Sequence, residues 1–202
     1  IKGPLQPKDI TIDGPLSSQF LTGLLMAYGK AATKPVTITV QNLKSKPYID
    51  LTLQMMKQFG YNITNQNYEQ FVIHPQTPNS SRQTVIVEGD WSSAAFLLVA
   101  GAIAGPITLK GLDVFSAQGD RAILKALMDC GCNISIEEKQ VSVNSPLDKG
   151  GKAFHFNATD CPDLFPPLVA LAAYCNGVSV IEGVNRLLNK ESNRSVSLQE
   201  EF

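Results

Sequence analysis

A run of apolar residues long enough to cross a bilayer is missing from this 202-residue sequence, and so is an excess of either charge. Without the first, a membrane-spanning helix is excluded and no membrane partner is expected. The second absence, 17 lysines and arginines against 18 aspartates and glutamates, removes any bulk attraction to nucleic acid or to an anionic surface. An anionic ligand must therefore be held locally. Cysteine is scarce too. Cys130, Cys132, Cys161 and Cys175 stand at irregular spacing and do not read as a disulfide framework, so a reducing cytoplasm is the expected location. Cys130-Gly131-Cys132 is too closely spaced for a zinc knuckle and has no histidine beside it, which leaves packing; no metal is expected. His74 and His155 adjoin predicted strands and carry no catalytic signal. The opening IKGPLQPKDI lacks the charged-then-apolar order of a signal peptide.

What is present is a globular composition, 44% hydrophobic and 17% charged, enough for a sizeable core in one or two domains. The first residue is not Met, and SVSLQEEF stops inside an amphipathic pattern, with Leu198 and Phe202 four apart on one face. An internal fragment of a longer polypeptide is expected. Self-similarity organises the rest. The stretch from ITIDGPLSSQF to FGYNIT can be laid beside that from VIVEGDWSSAAF to CGCNISI. Gly14 then falls on Gly89, Ser17 and Ser18 on Ser92 and Ser93, Asp50 on Arg121, and Gly60 on Gly131. A third copy starts at FHFNATDCPDL, with Gly177 on Gly105 and Arg194 on Arg121, and its next helix-ending glycine falls just past the last residue.

Each copy predicts the same order: an alternating strand (ITID, VIVE, FHFN), a helix, a β-branched strand (VTITV, ITLKG, VSVIEG), a loop and a second helix ending in glycine. Two short strands close it, YNIT with QFVIH and NISI with VSVNS. That is a βαβαββ unit of an α+β protein. The polar segment HPQTPNSSRQT, residues 74–84, is the predicted boundary, dividing the chain into 1–86 and 87–202. The first part would hold one repeat, the second one full and one truncated repeat.

The motifs DGPLSSQF, SKPYID, VEGDWSSAAF, DCPDL and NKESNR, in that order, resemble the middle of the 5-enolpyruvylshikimate-3-phosphate synthase family, also called 3-phosphoshikimate 1-carboxyvinyltransferases. The resemblance covers essentially the whole chain. It implies six βαβαββ repeats in two lobes, an inside-out α/β barrel in the full-length family, with residues 1–86 in the lobe that binds shikimate phosphate and 87–202 in the other. No cofactor is implied, and the full-length protein would be a monomer.

A helix N-terminus offers unpaired N–H groups and the positive end of the macrodipole, so it suits an anion. The resemblance assigns Ser17, Ser18 and Ser45 to the phosphate of shikimate 3-phosphate, Tyr48 to the lining of that pocket and Gln19 to phosphoenolpyruvate. Taken alone, either serine merely caps a helix and Tyr48 is half-buried packing. Ser92 and Ser93 hold the equivalent place in the second copy, where AAFLLVAGAIAG reads as a structural helix packed on all sides and Asp90 as a group that orients the adjoining linker.

In the third copy Asp163 stands near a helix start, whose dipole favours the ionised carboxylate. By resemblance it contacts the shikimate hydroxyls and accepts the proton of the attacking one; in isolation it would read as a plain cap. In NKESNR the resemblance gives Lys190 a place beside the reacting hydroxyl, Glu191 proton exchange at the methylene of phosphoenolpyruvate, and Arg194 a grip on that substrate's carboxylate. Arginine suits a planar two-point contact, whereas lysine is a compact donor. A glutamate kept protonated in a desolvated, anion-crowded site can deliver a proton. Asn193 departs from the family's usual aspartate, which puts the orientation of Arg194 in question.

The implied reaction adds a shikimate hydroxyl to the central carbon of phosphoenolpyruvate, and the tetrahedral intermediate then loses phosphate. Further basic residues of the family lie outside the segment, so this chain alone is expected to turn over little or nothing. Two alternatives remain: the sister enzyme that transfers enolpyruvyl to UDP-N-acetylglucosamine, and a non-catalytic repeat module. Cys161, close to Asp163 in sequence, is expected to be open to thiol reagents.

Overall fold

The computed structural model describes residues 3–15, 17–76, 84–145, 147, 150–188 and 193–202. The chain divides into two compact units, Ile1–Ile86 and Val87–Phe202. The architecture is α+β, and among the described residues no sheet closes into a barrel.

The first unit runs β1 (Ile10–Asp13), α1 (Ser18–Ala31), β2 (Val36–Gln41), α2 (Lys46–Gln58), β3 (Ile63–Gln66) and β4 (Gln70–Ile73). Strict alternation in VTITV buries Val36, Ile38 and Val40 against Phe71 and Ile73 of β4. The helices offer Leu21, Leu25 and Tyr28, and Ile49, Thr52 and Met56, at the three- and four-residue spacing that lines one face. The sheet order is β1-β2-β4-β3, with β1 and β2 parallel and the other pairs antiparallel. Asn67 and Tyr68, both in the left-handed region, turn β3 into β4 with Glu69 N–H bonded to the Gln66 carbonyl, the primed geometry that matches strand twist. Gly14 closes the end of β1. Its N–H reaches the Gln41 carbonyl at 2.7 Å, and a Cβ there would stand 2.7 Å from Leu43 Cα, so only glycine fits.

The second unit runs α3 (Trp91–Ala104), β5 (Ile107–Lys110), a 3₁₀ turn at Gly119–Ala122, α4 (Ile123–Asp129), β6 (Asn133–Glu137), β7 (Gln140–Ser145), β8 (Gly151–Lys152) and β9 (His155–Asn157). There follow a 3₁₀ turn at Pro162–Leu164, α5 (Phe165–Ala173), β10 (Cys175–Asn176), β11 (Val180–Glu182), a 3₁₀ turn at Val184–Leu187 and α6 (Arg194–Glu201). Strands β5, β7 and β6 make an antiparallel sheet in the order β5-β7-β6; β8 with β10 and β9 with β11 make short parallel pairs. One core joins Trp91, Leu98, Ile123, Leu127, Phe156 and Leu168.

Three expectations need correction. The segment VIVE, residues 85–88, is not a strand: among the described residues its backbone makes no ladder, and the bond beside it, Gly89 N–H to the Gly111 carbonyl, mirrors the bond made by Gly14. Ile86 and Val87 are 86% and 84% exposed, and branched side chains favour a strand only where a packed face receives them. Helix α3 is not covered all round, because Phe96 and Leu97 remain half-exposed within this unit. The helix expected from DRAILKALMDCG opens as a 3₁₀ turn and becomes α-helical only at Ile123.

Candidate active site

In the first unit the sequence-predicted residues gather at the openings of α1 and α2. Ser17 is the N-cap of α1, with extended backbone, and its Oγ accepts the Gln19 N–H at 3.2 Å. Ser18 begins the helix and is half-buried; Gln19 is exposed. Ser45, 1% exposed, holds the N-cap position of α2 in the left-handed conformation, φ 56°, and makes no side-chain cap. A non-glycine residue in that region is uncommon and concentrates at functional turns. Tyr48, half-buried in the first turn of α2, returns its N–H to the Ser45 carbonyl at 3.2 Å.

Threonines join the two helices. Thr52 donates its hydroxyl to the Tyr48 carbonyl at 2.8 Å and lies 2.9 Å from the Thr22 hydroxyl of α1. Thr22 lies in the second turn of α1 and Thr52 midway along α2; the openings themselves adjoin where Gly14, ahead of α1, bonds the Gln41 carbonyl and packs on Leu43, ahead of α2. Beside them Lys46 Nζ rests 5.0 Å from the centre of the Tyr68 ring, a cation–π distance. The Tyr68 hydroxyl donates to both oxygens of Asp50, at 2.8 and 3.0 Å, and this bond, with burial, pushes the phenol up from its ordinary value. Sequence reading missed Thr22, Thr52 and Tyr68. The threonine contact spans thirty residues and carries no local signal, and the turn at Tyr68 lacks the usual glycine.

In the second unit Asp90 turns out to be the N-cap of α3. Its carboxylate accepts the N–H groups of Ser92 and Ser93 and the Ser93 hydroxyl. Partial burial works to raise its pKa, but these donors outweigh it and hold the carboxyl below its ordinary value. An Asp90→Ala variant is expected to lose about 0.5–2 kcal/mol in urea unfolding. The loss should be present above the ordinary aspartate range and vanish as pH falls through the lowered native value, because wild type then gives up the same stabilisation.

Asp163 lies in the 3₁₀ turn that leads into α5 and does not cap the helix. Its Oδ1 accepts from Arg194 Nη1 at 2.8 Å, an ion pair between side chains 26% and 29% exposed. Two residues assigned by resemblance to different substrates are thus in direct contact. Arg194 is the first residue of α6, and Asn193 precedes it with its side-chain oxygen accepting the Ser195 hydroxyl at 2.6 Å. Asparagine retains the acceptor that an aspartate would offer there. Lys190 and Glu191 lie outside the described residues. Cys161 corrects another expectation: burial, with Asp120, Asp160 and Asp163 nearby, pushes its thiol up to about 12, so it offers thiol reagents almost no thiolate.

A family model described as EPSP synthase (3-phosphoshikimate 1-carboxyvinyltransferase) matches residues 1–202. The chain belongs to this family. It is 33% identical over its whole length to a 3-phosphoshikimate 1-carboxyvinyltransferase of Clostridium novyi and 38% identical to one of Clostridium kluyveri, covering 46% of each. The chain therefore spans about half the length of the curated relatives it matches. Among solved structures, EPSP synthase from Acinetobacter baumannii superposes with a TM-score of 0.68 at 23% identity, over 96% of this chain and 44% of that one. The enolpyruvyl transferase NikO from Streptomyces tendae gives 0.65 at 22% identity, over 88% of this chain and 44% of that one. At such identities the likeness speaks for the fold alone, and the fold is that of the enolpyruvyl transferases.

Proposed function

We propose that the chain is part of an EPSP synthase, which moves the enolpyruvyl group of phosphoenolpyruvate to a hydroxyl of shikimate 3-phosphate, on the route to chorismate and the aromatic amino acids. Residues 1–86 are one repeat of the lobe that binds shikimate phosphate, and residues 87–202 belong to the second lobe. The carrying observation is that Ser17, Ser18 and Ser45 stand at the openings of α1 and α2, whose leading loops meet at Gly14 and Leu43. Two helix ends turn their positive poles and hydroxyl donors toward one anion. Tyr48 lines that pocket, and Gln19, exposed on the first turn of α1, reaches phosphoenolpyruvate.

Asp163 accepts the proton of the attacking hydroxyl, Lys190 holds that hydroxyl, and Glu191 exchanges the proton at the methylene carbon. Arg194 receives the carboxylate of phosphoenolpyruvate. Its bond to Asp163 supports a coupled arrangement, in which the group that accepts the proton and the group that grips the carboxylate are held against each other. The described cysteines are all free, which fits a reducing cytoplasm as the place of action.

Titration of the full-length enzyme with shikimate 3-phosphate and with shikimate tests the phosphate cradle. A Ser17→Ala, Ser18→Ala double variant should lose about 1.5–3 kcal/mol of affinity for each charged hydrogen bond removed from the phosphate ester and almost none for shikimate. Equal losses for the two ligands, or none for either, would place the phosphate elsewhere.

A further inference from the structure

All four thiols lie in the second unit, and three of them, Cys130, Cys132 and Cys175, gather at one place that the proposed chemistry does not use. Cys130 ends α4 and Cys132 leads into β6, with Gly131 between them in the left-handed region at φ 91°. Gly131 N–H bonds the Met128 carbonyl at 3.0 Å and Cys132 N–H bonds the Leu127 carbonyl at 2.9 Å, the paired bonds of a Schellman ending. The ending folds the chain back on itself and brings the flanking sulfurs to 3.4 Å. Cys175, on β10, completes the group: β10 pairs with β8, where Lys152 N–H reaches the Cys130 carbonyl at 2.9 Å.

We propose that Cys130 and Cys132 are a site of reversible two-electron oxidation, closing a disulfide across Gly131 when the protein meets a hydroperoxide. The Cys130 thiolate attacks the terminal peroxide oxygen; an S–O bond forms, the O–O bond breaks, and the leaving oxygen takes a proton to become an alcohol or water. The Cys132 sulfur then attacks the Cys130 sulfur. The S–S bond forms, hydroxide leaves, and with the Cys132 proton it becomes water. Two thiols are oxidised by one electron each, and the peroxide is reduced by two.

Geometry favours this pair. From 3.4 Å the sulfurs need only approach by about 1.4 Å to reach bonding distance, a matter of side-chain torsion. Cys130 is also the better nucleophile of the group: its contact with Cys132 holds its thiol below the ordinary value against the opposing effect of burial, while Cys132 is pushed up. Cys175 is raised to about 11, chiefly by burial, and stays protonated. Closing so short a loop removes little entropy from the unfolded chain, so the bond braces nothing and is readily reduced.

The test treats the folded full chain with hydrogen peroxide, titrates its thiols and maps its peptides by mass. Expected is a species lacking the mass of two hydrogens, with Cys130 joined to Cys132, reverting under dithiothreitol. A Cys132→Ser variant should instead stop at a sulfenic acid on Cys130 that dimedone traps, whereas Cys161→Ser should leave the product unchanged. Survival of all four thiols in the treated wild-type chain would overturn the proposal. So would a disulfide mapped to another pair, such as Cys130 with Cys175.

Discussion

Replacing Asp163 by asparagine in the full-length enzyme is expected to lower turnover by about 10²–10⁴-fold, the range in which a positioned general base acts. The substitution keeps the shape of the side chain and an oxygen for Arg194 Nη1, now 2.8 Å from Asp163 Oδ1, so the turn at Pro162–Leu164 should hold. What disappears is the capacity to accept a proton. Affinity for shikimate 3-phosphate should change little, because an amide can still bond the substrate hydroxyls. Steady-state phosphate release, read beside a binding titration and a melting curve, separates the possibilities. A fall in kcat with unchanged affinity and stability identifies the base. A shift in KM or melting temperature at constant kcat would reduce Asp163 to a structural partner of Arg194.

The second large effect is on folding. Trp91 is fully buried at the start of α3, its indole N–H bonded to the Asp113 carbonyl at 2.9 Å and its backbone N–H to Gln118 Oε1 at 2.8 Å. Gln118 also donates to the Gly89 carbonyl at 2.9 Å, so one side chain fixes the approach to the helix from both sides. Trp91→Ala should cost about 3–5 kcal/mol, combining a cavity with an unpaired carbonyl. Each unit has its own core cluster, so hydrogen exchange should show lost protection for residues 91–104 and 141–143 and native protection along 36–41. Uniform loss across both units would mean that they unfold as one body.

Much of this fold was legible in the sequence because period-two and helical patterns recur in successive copies. ITID, VTITV and NISI fall on strands where expected, since each pairs with a neighbouring strand and covers at least part of its branched face, Ile10 and Ile12, Val36, Ile38 and Val40, and Ile134. VIVE has the same composition and fails, because the decisive quantity is what lies against Ile86 and Val87, and local pattern does not encode it. The Asp90 cap was readable in principle: an acidic residue just ahead of an apolar run is a helix-start signal. The candidate site was less legible. The motifs placed Ser17, Ser45 and Asp163 near helix openings, but not the left-handed backbone of Ser45, the hydroxyl contact between Thr22 and Thr52 or the pair of Asp163 with Arg194. The last two join residues about thirty positions apart, beyond the reach of any local periodicity.

One assay bears most directly on the proposed chemistry: phosphate release from phosphoenolpyruvate by the full-length protein, offered shikimate 3-phosphate, shikimate or UDP-N-acetylglucosamine as acceptor. Release at catalytic rates with shikimate 3-phosphate, and near-background rates with the other two, is the expected result. Release with the UDP-sugar, or with no acceptor presented, contradicts it.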